Sequence, residues 1–420
     1  MKLNIRSLIR LATLAGLALA AQAFAAEPLV LSPGPGNWTP FRPGPVEYQG
    51  QTYTPSCSQL PGVPSPIPGG GAADTTTFQF WAKRGTVNKL VVFFEGGGAC
   101  WDARTCLGVT PIGPASPTFV PYSVYQDPRN IGTGPGQYSG VFDLGNSRNP
   151  FKDWNFVYIP YCTADIHAGS AIQAVPLPTP GGPVPIPIHH RGHDNFIAVL
   201  KFMTENFAEP APRQIFVTGA SAGGYGAMLN MPWIEEAFRG AQMNVLADAS
   251  QGITTPAWDA VRDAEWNFQI APWIAYGESI PVSPARIFQR TIEYYPNVSF
   301  GQYTTDWDTT QILFYDLMVD PFNANPGICS EWNTRMRTDL AGYQGSRNFR
   351  SYDAFGTDHT ITRSVKFYSE ESASGVSLVD WVSTLLKPQA GTPSPGGKSW
   401  VNAMCTTGNC GAIPPFACPF

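Results

Sequence analysis

The chain has 420 residues with 26 basic and 31 acidic side chains, a net charge of −5, and only 14% of its residues are charged. That balance excludes a nucleic-acid binder, which needs a basic face, and a hydrophobic content of 43% excludes a disordered chain. The 42 glycines and 41 prolines announce many turns, and the length allows one large domain or two.

The chain opens on a targeting segment. Lys2, Arg6 and Arg10 form a basic region, residues 11 to 21 an apolar run too short to span a bilayer, and Ala23-Phe24-Ala25 a cleavage site. A signal peptide over 1–25 is expected, cut near Ala25 or Ala26. No later apolar run reaches the ~18 residues of a membrane helix, so a periplasmic or secreted protein without a membrane span is expected. Eight cysteines suit that compartment as disulfides. No metal is expected, since there is no CxxC pair and no HExxH.

Residues 26–75 read as a Pro/Gly-rich arm, pinned at Cys57. From residue 76 a pattern begins. KLVVFF (89 to 94) and NFVYIP (155 to 160) are short apolar runs of the buried-strand type. PLPTPGGPVPIPI (176 to 188) reads as a surface loop with no helix or strand of its own. Residues 194 to 207 carry apolar positions at helical spacing. RQIFVT (213 to 218) predicts a strand, 223 to 238 a helix, and MNVLAD (243 to 248) a strand. Residues 252–296 break the rhythm with Trp258, Trp266, Trp273, Tyr294 and Tyr295, and predict a cap. NVSFGQY (297 to 303), DTTQILFYDLM (308 to 318) and NFRSYDAF (348 to 355) resume as strand, helix and strand. Residues 388–420 form a Cys-rich tail. Alternating strands and helices predict an α/β fold with a mostly parallel central sheet flanked by helices.

The stretch VTGASAGGYGAML (217 to 229) bears the chemistry. It is no phosphate loop, because Gly224-Tyr225 stands where Lys-Ser/Thr is needed. It contains GxSxG, centred on Ser221, directly after a strand and opening a helix, as the nucleophile elbow of an α/β-hydrolase requires. The alternative is a structural glycine-rich turn. In that fold the acid and then the histidine follow the serine. His167, His189, His190 and His193 all precede Ser221, so only His359 qualifies. Asp306 and Asp308 both follow a predicted strand, and position alone does not choose between them. Asp316 and Asp320 look surface-bound, Asp248 supports the site or caps a helix, and Asp358 is expected to point away from its neighbour His359. In FFEGGGACWD (93 to 102) three glycines follow a strand, so the N–H groups of Gly97 or Gly98, with that of Ala222, are the candidate oxyanion hole.

Five segments in register resemble the pectin acetylesterase/Notum family of secreted carboxylesterases: FFEGGGACWD, YIPYCTADIHAG (158 to 169), HRGHDNFIAVL (190 to 200), VTGASAGGYGA and WDTTQI (307 to 312). The resemblance implies Ser221 as nucleophile, Asp308 rather than Asp306 as acid, and His359 as base. It makes HHRGHD (189 to 194) a structural helix entry rather than a metal site. It also implies disulfides Cys57–Cys162 and Cys100–Cys106, and leaves the pairing of Cys329, Cys405, Cys410 and Cys418 open. Ala99 stands where the family carries an aromatic residue, which leaves the acyl group undetermined.

The expected activity is therefore that of an exported serine carboxylesterase working through an acyl-enzyme without a cofactor. By the resemblance its partner is an ester substrate, an acetylated polysaccharide such as pectin; nothing points to a protein partner. The alternatives are an esterase or depolymerase for lipid acyl or polyester substrates, a non-catalytic secreted binding protein on the same fold, and a disulfide-held structural protein.

Overall fold

The computed structural model describes residues 29–58, 76–107, 109–110, 113–114, 134–320, 325–387 and 400–405. The expected signal peptide, much of the N-terminal arm and most of the C-terminal tail lie outside them.

In the arm, β1 (Thr39–Phe41) is followed by the hairpin β2 (Val46–Tyr48) and β3 (Gln51–Tyr53). Then come β4 (Phe80–Lys83), β5 (Lys89–Phe94), the short helix α1 (Ala103–Leu107), and the paired β6 (Val109–Thr110) and β7 (Gly113–Pro114). Next are β8 (Asn155–Ile159), β9 (Ala171–Leu177), β10 (Val184–His190), α2 (Gly192–Phe207), β11 (Gln214–Ala220), α3 (Ala222–Ala237) and β12 (Gln242–Asp248). The chain continues through α4 (Pro256–Trp266), α5 (Pro272–Ala275), α6 (Pro284–Tyr294), β13 (Ser299–Thr305), α7 (Thr309–Val319), α8 (Ile328–Gln344), β14 (Phe349–Ala354) and α9 (Leu378–Leu385).

Eight strands form one sheet in the order β1-β4-β8-β5-β11-β12-β13-β14. The six from β8 to β14 run parallel, and β1 and β4 close one edge antiparallel. Continuous apolar runs are needed here because both faces are covered. In β5, Leu90, Val92 and Phe94 point into the core beneath α2, α3 and α8. Val91 and Phe93 point into a second core with Trp381 and Leu385 of α9. The period of two thus delivers alternate residues of one run to two cores.

The arm holds three short strands, and the proline-rich segment departs from the loop expected of it. It is not a loop but a hairpin of β9 and β10, with Pro185 opposite Pro176 and Pro187 opposite Ala174. All three prolines fall on one parity of the antiparallel ladder, where the N–H points away from the partner and is not needed. Val175, Ile186 and Ile188 fall on buried positions and pack against the Cys100–Cys106 disulfide. The Cys57–Cys162 bridge is also present, and Cys329 and Cys405 are disulfide-bonded. Cys410 and Cys418 lie outside the described residues.

Between β12 and β13 the aromatic segment folds as three helices, two of them opened by Thr255 and Ser283 caps with proline at the first position. Trp258 and Trp266 are buried core, Trp273 is half-buried, and Tyr294 is exposed.

Candidate active site

Ser221 sits between β11 and α3 with φ 59° and ψ −125°, a backbone region that L-residues adopt only when the surroundings hold them there. The surroundings are tight. A Cβ on Gly219 would meet the carbonyl oxygen of Gly223 at 2.2 Å, and one on Gly223 would meet that of Phe94 at 2.0 Å. The two glycines of GxSxG are therefore steric necessities. The turn is tied down as well: Ser221 N donates to the Asp248 carbonyl at 2.8 Å, and the Ser250 hydroxyl donates to the Ser221 carbonyl at 2.6 Å.

Asp308 and His359 come from the ends of neighbouring strands, β13 and β14. Asp308 is fully buried and caps α7, its Oδ1 accepting from the N–H groups of Thr310 and Gln311, both at 3.0 Å. Its Oδ2 accepts from Gln311 Nε2 at 2.9 Å. His359 Nδ1 lies 2.9 Å from Oδ1 and 2.8 Å from Oδ2. Burial alone works against a charged imidazole. The Asp308 carboxylate outweighs it, and with help from Asp248 the His359 pKa stands above its ordinary 6.5. His359 Nε2 is buried with no hydrogen-bond partner among the described residues, so it is not bonded to Ser221. Such bonds are often open in unliganded sites.

The loop bearing His359 is fixed by Asp248, at the end of β12. Its Oδ2 accepts from Ile361 N at 2.9 Å, Thr362 N at 2.8 Å and Thr362 Oγ1 at 2.6 Å. Asp248 thus holds the serine turn through its carbonyl and the histidine loop through its carboxylate. Its position at a strand end beside the serine strand was the only trace of this in the sequence.

The glycine loop lies against the elbow, since a Cβ on Gly96 would meet the Ala220 carbonyl at 2.1 Å and Ser221 Cβ at 2.9 Å. Gly98 has φ +81° and its carbonyl accepts from the Tyr161 hydroxyl at 2.9 Å. The loop is then locked by the Cys100–Cys106 bridge and by Cys100 N donating to the Ala164 carbonyl at 2.9 Å. Gly97 is exposed beside it, and Ala222 begins α3, where no side chain caps the helix.

The other histidines each have structural work. His167 Nε2 is 2.7 Å from the Glu95 carbonyl oxygen. His189 Nδ1 lies 2.9 Å from Ser56 Oγ, and His190 lies between the Thr163 carbonyl and Gln173. His193 Nδ1 is 3.4 Å from Asn230 Oδ1, and Asp194 pairs with Arg191. Asp306 turns away from His359 toward Arg337 and Asp353. Asp358 is exposed and pairs with Lys366, as expected of a residue pointing away from the imidazole.

Ser221 and His359 share one cavity of about 50 Å³, lined by Ile166, Ile253, Trp258, Phe314, Met318 and Trp332, together with Gly98 and Ala222. The Phe314 ring closes on Gly98, where an added Cβ would lie 2.7 Å from its tip.

The chain is similar to known proteins. The pectinacetylesterase family model matches residues 73–307, more than half of the chain. The match includes Ser221 and the glycine loop and ends just before Asp308. The palmitoleoyl-protein carboxylesterase Notum of Schmidtea mediterranea is 26% identical over 156 residues, covering 36% of this chain and 26% of that protein; the match thus spans about a quarter of the relative's length. Two crystal forms of the Wnt deacylase Notum from Drosophila superpose with TM-scores of 0.54 and 0.51 at 16% identity. They cover 87% and 84% of this chain and 99% of theirs, and establish the α/β-hydrolase fold. On the family match, the chain belongs to the pectinacetylesterase family.

Proposed function

We propose that the chain is an exported serine carboxylesterase that deacetylates a polysaccharide such as pectin, with Ser221 as nucleophile, His359 as base and Asp308 as acid. The observation that carries the reading is the Asp308 carboxylate on His359 Nδ1, with the opposite nitrogen, Nε2, unpaired among the described residues, and His359 and Ser221 lining one cavity. Neutral His359 takes the Ser221 hydroxyl proton as the oxygen attacks the ester carbonyl. Asp308 stabilises the imidazolium. The N–H groups of Gly97 or Gly98 and of Ala222 receive the oxyanion, each donor being worth about 10²–10³ in rate. Water then releases the acid from the acyl-serine. The Cys57–Cys162 and Cys100–Cys106 disulfides, with the bonded Cys329 and Cys405, suit an oxidising compartment.

The size of the cavity favours a short acyl group, because about 50 Å³ is room for only a few water-sized groups. A long acyl chain, the kind named in the palmitoleoyl-protein carboxylesterase relative, is the second reading, and the apolar lining favours it. Hydrolysis of p-nitrophenyl esters from C2 to C16, beside Ser221→Ala, separates the two. A maximum at C2 that vanishes in the variant is expected. A maximum at long chains replaces the acetyl reading with a lipid or polyester one, and equal activity in the variant removes Ser221 from its role.

A further inference from the structure

The glycine loop cannot hold its own shape. Gly96, Gly97 and Gly98 carry no side chains, and a run of glycines has the weakest conformational preference of any backbone. Gly98 also takes φ +81°, where only glycine goes freely. Yet donors that receive an oxyanion stabilise it only when they are aimed in advance. Something outside the loop must therefore hold it.

The segment 161–167, just after β8, lies against it. Ala164, Ile166 and His167 have φ of 52°, 52° and 61°. Non-glycine residues stay in this left-handed region only where the surroundings over-determine them, and such strain gathers at functional sites. Here the buried Asp165 carboxylate holds the turn. It accepts from the Thr163 hydroxyl at 2.6 Å, from His167 N and Gly169 N at 3.1 Å each, and from Gly192 N at 2.6 Å. The segment in turn grips the glycine loop and both its flanks. Tyr161 N donates to the Glu95 carboxylate at 3.0 Å, and the Tyr161 hydroxyl donates to the Gly98 carbonyl at 2.9 Å. His167 Nε2 lies 2.7 Å from the Glu95 carbonyl oxygen, and Cys100 N donates to the Ala164 carbonyl at 2.9 Å.

We infer that Tyr161 is a positioning residue for the oxyanion donors, and that the strained turn behind it sets the aim of its hydroxyl. The inference rests on the esterase reading above. Of these four bonds, three fix Glu95 and Cys100 on either side of the loop, and that of the Tyr161 hydroxyl alone reaches inside the glycine run. The Gly98 carbonyl cannot turn without turning the chain at Gly98, and the N–H groups of Gly97 and Gly98 are the candidate donors. The hydroxyl is itself aimed from below. It accepts from Ile166 N at 2.8 Å, which leaves its own proton for Gly98. Burial holds the phenol well above its ordinary 10, so that proton stays in place. The Ile166 side chain meanwhile lines the cavity beside Ser221, so one turn touches both the acyl space and the brace of the loop.

Tyr161→Phe removes one oxygen and keeps the ring. The test assays it on p-nitrophenyl acetate and on the thiono analogue, in which sulfur replaces the carbonyl oxygen. Sulfur is a weak hydrogen-bond acceptor, so the thionoester draws little from oxyanion donors. On the oxygen ester kcat should fall about 10–100-fold with KM within about twofold, a part of what a lost donor costs. The loss in kcat/KM should be at least about fivefold smaller on the thionoester. The acid limb of the pH profile should stay where the wild type has it. The ratio of the two substrates does not depend on how much of the variant is folded, so a lowered thermal midpoint leaves the test intact. If Tyr161→Phe does not fold at all, His167→Phe, which removes the bond to the Glu95 carbonyl, is judged by the same ratio. An equal loss on both substrates, or no loss, overturns the inference, and a shifted acid limb overturns it by placing the effect on His359. Activity on p-nitrophenyl acetate that survives Ser221→Ala defeats the esterase reading instead.

Discussion

His359 Nδ1 stands within 2.9 Å of both carboxylate oxygens of Asp308, although 51 residues separate them in sequence. The same carboxylate caps α7. Asparagine caps a helix about as well as aspartate, but it cannot stabilise an imidazolium. Asp308→Asn should therefore keep the thermal midpoint within a few degrees while kcat falls by about 10⁴, the scale seen when this group is neutralised in a comparable triad. Steady-state kinetics beside a thermal melt read both. A kcat within tenfold of the wild type would remove Asp308 from the proposed mechanism.

The proposed base must be neutral to act. Burial disfavours its charged form, but the Asp308 and Asp248 carboxylates more than compensate and hold its pKa above 6.5. The acid limb of kcat/KM should therefore have its midpoint above pH 6.5, with activity lost below it. Removing one of the raising charges should move the midpoint down. A profile of p-nitrophenyl acetate hydrolysis from pH 5 to 9, for wild type and Asp308→Asn, reads the sign. An acid limb below 6.5 in the wild type contradicts the assignment.

Asp248 is a positioning residue in this scheme, since it touches the histidine loop and the serine turn but not the reacting atoms. Its Oδ2 takes three donors, while its Oδ1 is buried with no hydrogen-bond partner among the described residues. Asp248→Asn can keep all three bonds through its one carbonyl oxygen and sheds a charge that burial disfavours. It should retain stability and shift the acid limb to lower pH, because a charge that raises the His359 pKa is gone. Asp248→Ala leaves the Ile361 and Thr362 donors unpaired, at about 1–3 kcal/mol each. It should lower kcat by about 10–100-fold with KM little changed. A purely structural role would leave the pH profile of the Asn variant where the wild type has it.

How much of this was legible in the sequence depends on whether the signal was local. The parallel strands were legible because a strand covered on both faces must be apolar throughout, as KLVVFF is. The serine turn was legible because Gly219 and Gly223 are demanded by contacts that recur with the turn itself. His359 was found by chain order alone. The choice of Asp308 over Asp306 was not legible from position, because both follow β13 and only the direction of the side chain separates them. The β9–β10 hairpin was missed because prolines hide a ladder whose parity they happen to fit. That Asp248 supports the site was suggested by its place at a strand end, but its partners Ile361 and Thr362 were not legible, because Thr362 lies 114 residues away.

Beside Asp308, the other acid of the segment belongs to a second buried pair. Asp306 and Asp353 are both fully buried and share the single guanidinium of Arg337, and among the described residues Asp306 Oδ2 and both Asp353 oxygens have no hydrogen-bond partner. Burial first, and then the charge of Asp306, pushes Asp353 from an ordinary 3.8 up to about 8. The folded state therefore holds a proton that the unfolded chain releases near pH 4. The stabilisation is complete below the unfolded value and is lost progressively as pH rises, until it is gone above about 8. The loss cannot exceed about 1.4 kcal/mol per pH unit for one proton. Asp353→Asn supplies the neutral form at every pH. Thermal melts from pH 5 to 9 should show the wild type losing stability relative to this variant as pH rises, with the difference levelling off near the alkaline end. A difference that stays constant across the range would mean that the pair holds no extra proton and that Arg337 balances both carboxylates.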